Sequence, residues 1–377
     1  MKMYRNIAFA AALLGAAILP AAAEEGVTDN TILIGQTIGV TGTVAAPTKE
    51  MNEGAKAYID SVNRAGGVHG RKIELHILDD GFIPKKAAAN AEKLIRDEHV
   101  FALFQTRGTP HTEAVAPILA ANGVPLVAPS SGAAIFHQPV NRLIFNVRAP
   151  YQSEVIKGIE HFDTLGFKKI GLLHVDDSFG RDGLEGFNKG MAARHLEPVI
   201  ITTFARDKPD VAAAAKQLIA ADPKALIIVS SSKNTVDVIK AIRAQGGTMQ
   251  IMTLSNNSSD AFVKDLGAAG VGLIVSQVTP AADLVSSILG QEFKAAAKAS
   301  GATMSYAAMD GFVSAKVLVE GLRRAGRNLT RDSFIRGLES IHQLDLGGLM
   351  IDYGPNDHTG SEFVELTMIG RNGRFVR

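Results

Sequence analysis

The chain has 377 residues, 46% of them apolar and 20% charged, with a formal net charge of +1. That length predicts two domains, and the near-neutral charge excludes the basic stripe of a nucleic-acid binder. The absence of cysteine excludes disulfides, thiolate metal sites, cysteine nucleophiles and a lipid-modified cysteine.

Lys2 and Arg5 precede an uncharged stretch over 7–19, and Pro20 leads into Ala21-Ala22-Ala23. A charged start, an apolar middle and a small-residue site predict a signal peptide over 1–23, cleaved after Ala23. The apolar stretch is shorter than the roughly 20 residues a bilayer span needs. Short runs of Ile, Val and Leu then alternate with longer Ala-rich amphipathic stretches. Strand 32–39 is followed by a helix carrying Met51, Ala55, Ile59 and Val62 on one face, which Gly66-Gly67 ends. Strand 73–78, helix 85–97, strand 101–104, helix 112–121 and strand 125–127 complete one unit. The pattern restarts after Arg148-Ala149-Pro150 with helix 153–165 and strands 169–174, 199–204, 225–229 and 250–253. Helices 180–194, 211–220 and 235–244 separate those strands. Strand 273–277 leads into a helical region over 283–340, and strands 349–352 and 365–369 close the chain. Such alternation predicts two α/β domains, each a parallel sheet flanked by helices.

In open parallel sheets, ligands bind beyond the carboxyl ends of the strands. Six predicted strands end in small or polar loops: Val40–Thr43, Gln105–Thr109, Pro129–Gly132, Asp176–Phe179, Ser230–Ser232 and Ser255–Ser258. Hydroxyls, amides and helix N-terminal N–H groups converge there, which suits a small polar or anionic ligand; the same residues also serve as helix caps. Thr43, Arg107, Ser131 and Asn256 are candidate contacts on these loops. No phosphate-binding loop, dinucleotide glycine loop or Gly-x-Ser-x-Gly is present. His174, Asp176 and Asp177 read as the end of a buried strand and the start of a loop, not as a metal or acid–base cluster. His69, His76, Asp79 and Asp80 are read in the same way.

Several segments resemble one family. Gly42-Thr43-Val44, Gly54-Ala55, Ile59 and the turn from Asn63 through Gly66-Gly67 and Gly70 to Ile73 are similar to its first helix and following turn. Asp79-Asp80 with Pro84, Ala114 to Pro117 with Gly123 to Ser130, and Tyr306 to Gly311 continue the match in order. The family is that of the periplasmic leucine/isoleucine/valine-binding proteins of branched-chain amino acid ABC transporters. The resemblance implies two lobes of the type I periplasmic binding fold joined by three crossings. It divides the chain into 24–148 (lobe 1), 149–278 (lobe 2), 279–345 (return to lobe 1) and 346–377 (lobe 2). It also implies a periplasmic, monomeric, non-enzymatic protein without cofactor or metal, which closes on a ligand and docks on permease subunits. An exported sensor built on the same fold is the alternative. Carried over by position, the ligand contacts fall at Pro47, Gly108 or Thr109, Ser130 and Gly132 in one lobe. Across the cleft they fall at Phe179, Ser231 and Ser255, with Tyr306 at the edge. Pro47 and Ser231 replace aromatic residues, Ser255 replaces the acid that pairs with an ammonium group, and Arg107 adds a cation. These departures favour a small organic acid, aliphatic or aromatic, over a branched-chain amino acid.

Overall fold

A computed structural model describes residues 24–377; the expected signal peptide and its cleavage site lie outside the described residues. In chain order the first elements are β1 (Thr31–Ile38), α1 (Ala45–Arg64), β2 (Lys72–Asp79), α2 (Pro84–Arg96), β3 (Ala102–Phe104), α3 (Thr109–Asn122), β4 (Leu126–Val127) and β5 (Ile144–Phe145). There follow α4 (Tyr151–Thr164), β6 (Ile170–Val175), α5 (Ser178–Ala193), β7 (Ile200–Phe204), α6 (Val211–Ala221), β8 (Ala225–Val229), α7 (Ser232–Ala244), β9 (Gln250–Thr253), α8 (Asp260–Leu266) and β10 (Ile274–Gln277). The predicted helical region is three helices, α9 (Ile288–Ser300), α10 (Tyr306–Ala325) and α11 (Arg331–Glu339). The chain ends in β11 (Leu344–Asp345), β12 (Met350–Gly354), β13 (Asp357–Gly360), β14 (Glu365–Ile369) and β15 (Phe375–Val376).

Two main sheets result, with a small antiparallel sheet of β11, β12 and β13 beside them. The first, in order β2-β1-β3-β4-β5, is parallel throughout. The second runs β15-β14-β10-β9-β8-β6-β7 and is parallel from β10 to β7, with β14 and β15 added antiparallel. The central strands read as unbroken apolar runs because helices cover both faces: every residue of Ala225–Val229 is buried. The architecture is thus two lobes, each a mainly parallel sheet between helices.

The helices after residue 279 return to the first sheet. There Phe293, Phe312 and Phe334 share a core with Ile32, Ile34 and Phe104. The return depends on two glycines where α10 crosses α1. A Cβ on Gly54 would stand 1.7 Å from the Ala308 carbonyl oxygen, and one on Gly311 would stand 1.8 Å from that of Met51. Only glycine lets the two backbones approach so closely.

One expected boundary is corrected. Residues 346–360 stay with the first lobe, so the chain does not leave it at 346. Leu349, Ile351 and Tyr353 are buried in the first core. The His358 ring stacks on Phe145 at 3.9 Å, and its carbonyl accepts the Asn146 N–H at 2.8 Å. The third crossing therefore follows Gly360, and only β14 and β15 join the second sheet. Among the described residues, no helix is long and apolar enough to cross a membrane.

Candidate functional site

The carboxyl ends of both sheets face each other, and the loops after the strands meet across a closed cleft. From lobe 1, Gly108 opens α3 with φ +93°. A Cβ there would stand 2.8 Å from the His111 ring and 3.0 Å from that of Phe82. Thr109 and Ser131 join their hydroxyls at 2.8 Å. The Gly108 N–H donates to the Ser130 carbonyl at 3.2 Å, which ties the β3 and β4 loops together. Gly132 is equally confined, its missing Cβ facing the Ala149 carbonyl at 2.8 Å. The structure thus brings Arg107, Gly108, Thr109, Ser130, Ser131 and Gly132 into one wall.

Arg107 reaches out of that wall. Its Nη1 donates to Ser130 Oγ at 3.2 Å, and its Nη2 crosses the cleft to the Asn256 carbonyl at 3.0 Å. The side chain is 7% exposed. Among the described residues, no carboxylate lies within 4.0 Å of the guanidinium. Burial lowers its pKa from the ordinary arginine value, but a guanidinium stays charged in a protein. The result is a buried cation whose direct oxygen partners are both neutral, with the Asp310 carboxylate acting on it and on Arg148 through space.

Lobe 2 supplies the opposite wall. Asp177 caps α5, accepting the N–H groups of Phe179 at 2.9 Å and Gly180 at 3.2 Å, and this sets the buried Phe179 ring against Tyr151 at 4.7 Å. Asp177 also pairs with Arg206, so it is committed within the protein. Ser231 starts α7, yet its hydroxyl makes no cap bond. The Ser231 and Ser230 hydroxyls and Asn256 Oδ1 are buried without a protein partner. Buried polar atoms are nearly always satisfied, and these three are among several buried atoms with no protein partner.

Ser255 has a different setting from that expected of a wall residue. Its Oγ accepts from Arg148 Nη2 at 2.7 Å, and its N–H donates to Glu154 Oε2 at 2.9 Å. Ser276 Oγ donates to the same Glu154 oxygen at 2.5 Å, and Arg148 pairs with Glu154. A wholly buried carboxylate therefore lies behind Ser255, neutralised by a guanidinium and held by two further donors. Arg148 also lies over the Tyr151 ring at 4.4 Å. The sequence marked Arg148 only as a boundary; its partners Glu154 and Ser255 carry no local motif.

The remaining candidates lie elsewhere. Thr43 is exposed in the loop entering α1, and Pro47 is buried in the first turn of that helix. Tyr306 lines an open groove of about 1170 Å³ that also takes in residues of 281–286 and 371–377. Its hydroxyl meets Glu365 at 3.3 Å and its ring meets Phe375 edge-on. It secures the C-terminal strands and is not part of the Arg107 wall. Among the described residues, no group of three or more His, Cys, Asp or Glu side chains is placed to hold a metal.

A family model described as periplasmic binding protein matches residues 31–374. The chain belongs to that family. Among its curated relatives are leucine/isoleucine/valine-binding proteins. It is 23% identical over 342 residues to a Leu/Ile/Val-binding protein homolog of Brucella melitensis, covering 86% of this chain and 85% of that one. The structure superposes on a substrate-binding periplasmic protein from Ralstonia solanacearum with a TM-score of 0.86 at 30% identity, over 92% of this chain and 99% of the other. A fatty acid ABC transporter substrate-binding protein from Thermomonospora curvata shares the fold, with a TM-score of 0.85 at 21% identity over 94% and 92% of the two chains. The two-lobed type I architecture is therefore that of the family. The family and these relatives are solute-binding proteins, not enzymes, and the family places the chain in the periplasm.

Proposed function

We propose that this protein captures a small carboxylate-bearing solute between its lobes and hands it to the permease of an ABC importer. The observation that carries the ligand class is Arg107, a buried guanidinium with neutral oxygen partners. Among the described residues, Arg107 makes no ion pair, and the Asp310 carboxylate acts on it only through space; a buried charge without a direct counter-ion is costly, and a ligand carboxylate would relieve that cost through two parallel charge-assisted hydrogen bonds. The Ser230 and Ser231 hydroxyls, at the end of β8, are buried without a protein partner and would complete its polar contacts.

An amino-acid ligand also needs an anion for its ammonium group. Of the carboxylates around the cleft, Glu154 is already neutralised by Arg148, Asp177 is taken by Arg206, and Asp310 lies in the fields of Arg148 and Arg107. These pairings support an organic acid over a standard amino acid. The Brucella relative is named for leucine, isoleucine and valine and the Thermomonospora neighbour for fatty acids, so this fold serves carboxylates with and without an ammonium group. A micromolar dissociation constant requires about 8 kcal/mol, within reach of one bidentate guanidinium contact plus burial of an apolar tail against Phe179. A thermal-shift screen of amino acids against aliphatic, aryl and keto acids tests the reading, because a ligand of the folded form raises the melting temperature. Stabilisation by acids and not by amino acids is expected; stabilisation confined to amino acids would overturn the ligand class.

A further inference from the structure

Several contacts cross between the lobes without using the hydroxyls assigned to the ligand, among them Ser178 to Glu113 and the Ala134 N–H to Asp182; two of them lie on the far sides of the ligand loops. Glu50, on α1 and 6% exposed, accepts the Asp260 N–H at 3.0 Å on one carboxylate oxygen and the Ala261 N–H at 2.9 Å on the other. Farther along the cleft, the Arg206 guanidinium carbon lies 5.0 Å from the centre of the Phe82 ring. Phe82 belongs to lobe 1, in the loop after β2, and Arg206 to lobe 2, in the loop after β7. Both partners are fixed from behind. Phe82 stacks on His111 at 4.3 Å, and its N–H is held by Asp80 at 2.8 Å. Arg206 Nε donates to Asp177 at 2.5 Å.

Their placement decides what they do. β9, which leads to Asp260, and β7, which leads to Arg206, have β8 and β6 between them in the second sheet. At the usual strand spacing the two contacts stand roughly 14 Å apart. The loops that carry Ser231 and Phe179 lie in that interval. A contact on one side of the ligand loops alone would let the lobes rock about it, whereas contacts on both sides resist that rotation.

We propose that Glu50 and Arg206 are positioning residues that latch the lobes shut on either side of the ligand loops. They set the closed population without depending on the ligand's chemistry. When the lobes part, Glu50 and the two N–H groups become hydrated and Arg206 loses the Phe82 face. The energies on the two sides are therefore close, and small changes at either residue redistribute open and closed forms.

The absence of cysteine allows a clean test. Lys85→Cys on lobe 1 and Lys216→Cys on lobe 2, both at exposed positions, place one nitroxide on each lobe. Pulsed electron–electron resonance on the ligand-free protein then reads the interlobe distance distribution. The parent should show a short-distance population. Glu50→Ala and Arg206→Ala should each reduce it by about threefold or more, with Glu50→Gln in between. Circular dichroism verifies folding; should an alanine variant unfold, Glu50→Gln or Arg206→Lys takes its place with the same expected direction. Unchanged distributions in the variants, or a parent with no closed population, would overturn the latch. Because no ligand is added, the outcome is independent of the carboxylate reading.

Discussion

At the scale of single residues, the cleft is a problem of buried charge and its compensation. Arg148 and Glu154 compensate each other, whereas Arg107 donates directly to neutral oxygens and feels Asp310 through space; the proposed ligand role of Arg107 rests on that asymmetry. His111 shows the same physics in a titratable group. Burial holds its pKa down at about 4, with the Phe82 backbone opposing and Arg206 adding to the shift. His137 is likewise held at about 4, by burial and then by Arg148. An unfolded histidine titrates near 6.5. Between those values the unfolded chain takes up protons that the folded chain refuses. Stability is therefore lost as pH falls from about 6.5 to about 4. Asp80 works in the opposite sense. Burial raises it to about 6, so the folded form keeps a proton there, and its contribution is lost as pH rises from about 4 to about 6. His111→Gln should reduce the stability lost between pH 7 and pH 4.5 by about 1–2 kcal/mol, within the range that such shifts allow. Urea midpoints at the two pH values measure it; an equal loss in variant and parent would show that His111 is not the group responsible.

At the scale of elements, the strands that were legible are those buried on both faces, such as β6 and β8, whose apolar runs need no partner to be recognised. β5, β11 and β15 are two residues each and leave no periodic trace. The third crossing was misplaced because Leu349, Ile351 and Tyr353 alternate as they would in either lobe; their burial in the first core, with Tyr353 edge-on to Phe145, assigns them. The site divides along the same line. Loops after strands were readable from Thr109, Ser130, Ser131 and Ser231. The pairs that close the cleft were not, because Glu50 and Ala261 are 211 positions apart and Arg148 and Ser255 are 107 apart. The crossing of α1 and α10 was half visible: Gly54 and Gly311 stood out in the family-like segments, but their contact did not. Gly311→Ala forces a methyl group onto the Met51 carbonyl and should destabilise the protein by about 1–3 kcal/mol, as overpacking does. Chemical denaturation measures this, and a neutral effect would mean that the helices separate without cost.

At the scale of the whole molecule, two sheets present their carboxyl edges to one cleft and three crossings connect them, so ligand contacts on both lobes become free energy for closure. In the proposed reading the solute is held where loops far apart in sequence converge, with Arg107 reaching from the β3 loop to the Asn256 carbonyl and the proposed latch contacts on either side. The central claim is that this convergence selects a carboxylate through Arg107 and does not require an ammonium group. Calorimetric titration of the wild type and of Arg107→Ala with 4-methyl-2-oxopentanoate, with an aryl carboxylate and with leucine tests it most directly. These ligands separate the carboxylate from the ammonium group, the keto acid and leucine on a shared carbon skeleton. The expected result is that an acid binds the wild type at least about tenfold more tightly than leucine and loses about 2–5 kcal/mol in Arg107→Ala, the usual cost of removing one partner of a buried charged contact. Tight leucine binding that survives Arg107→Ala would contradict it.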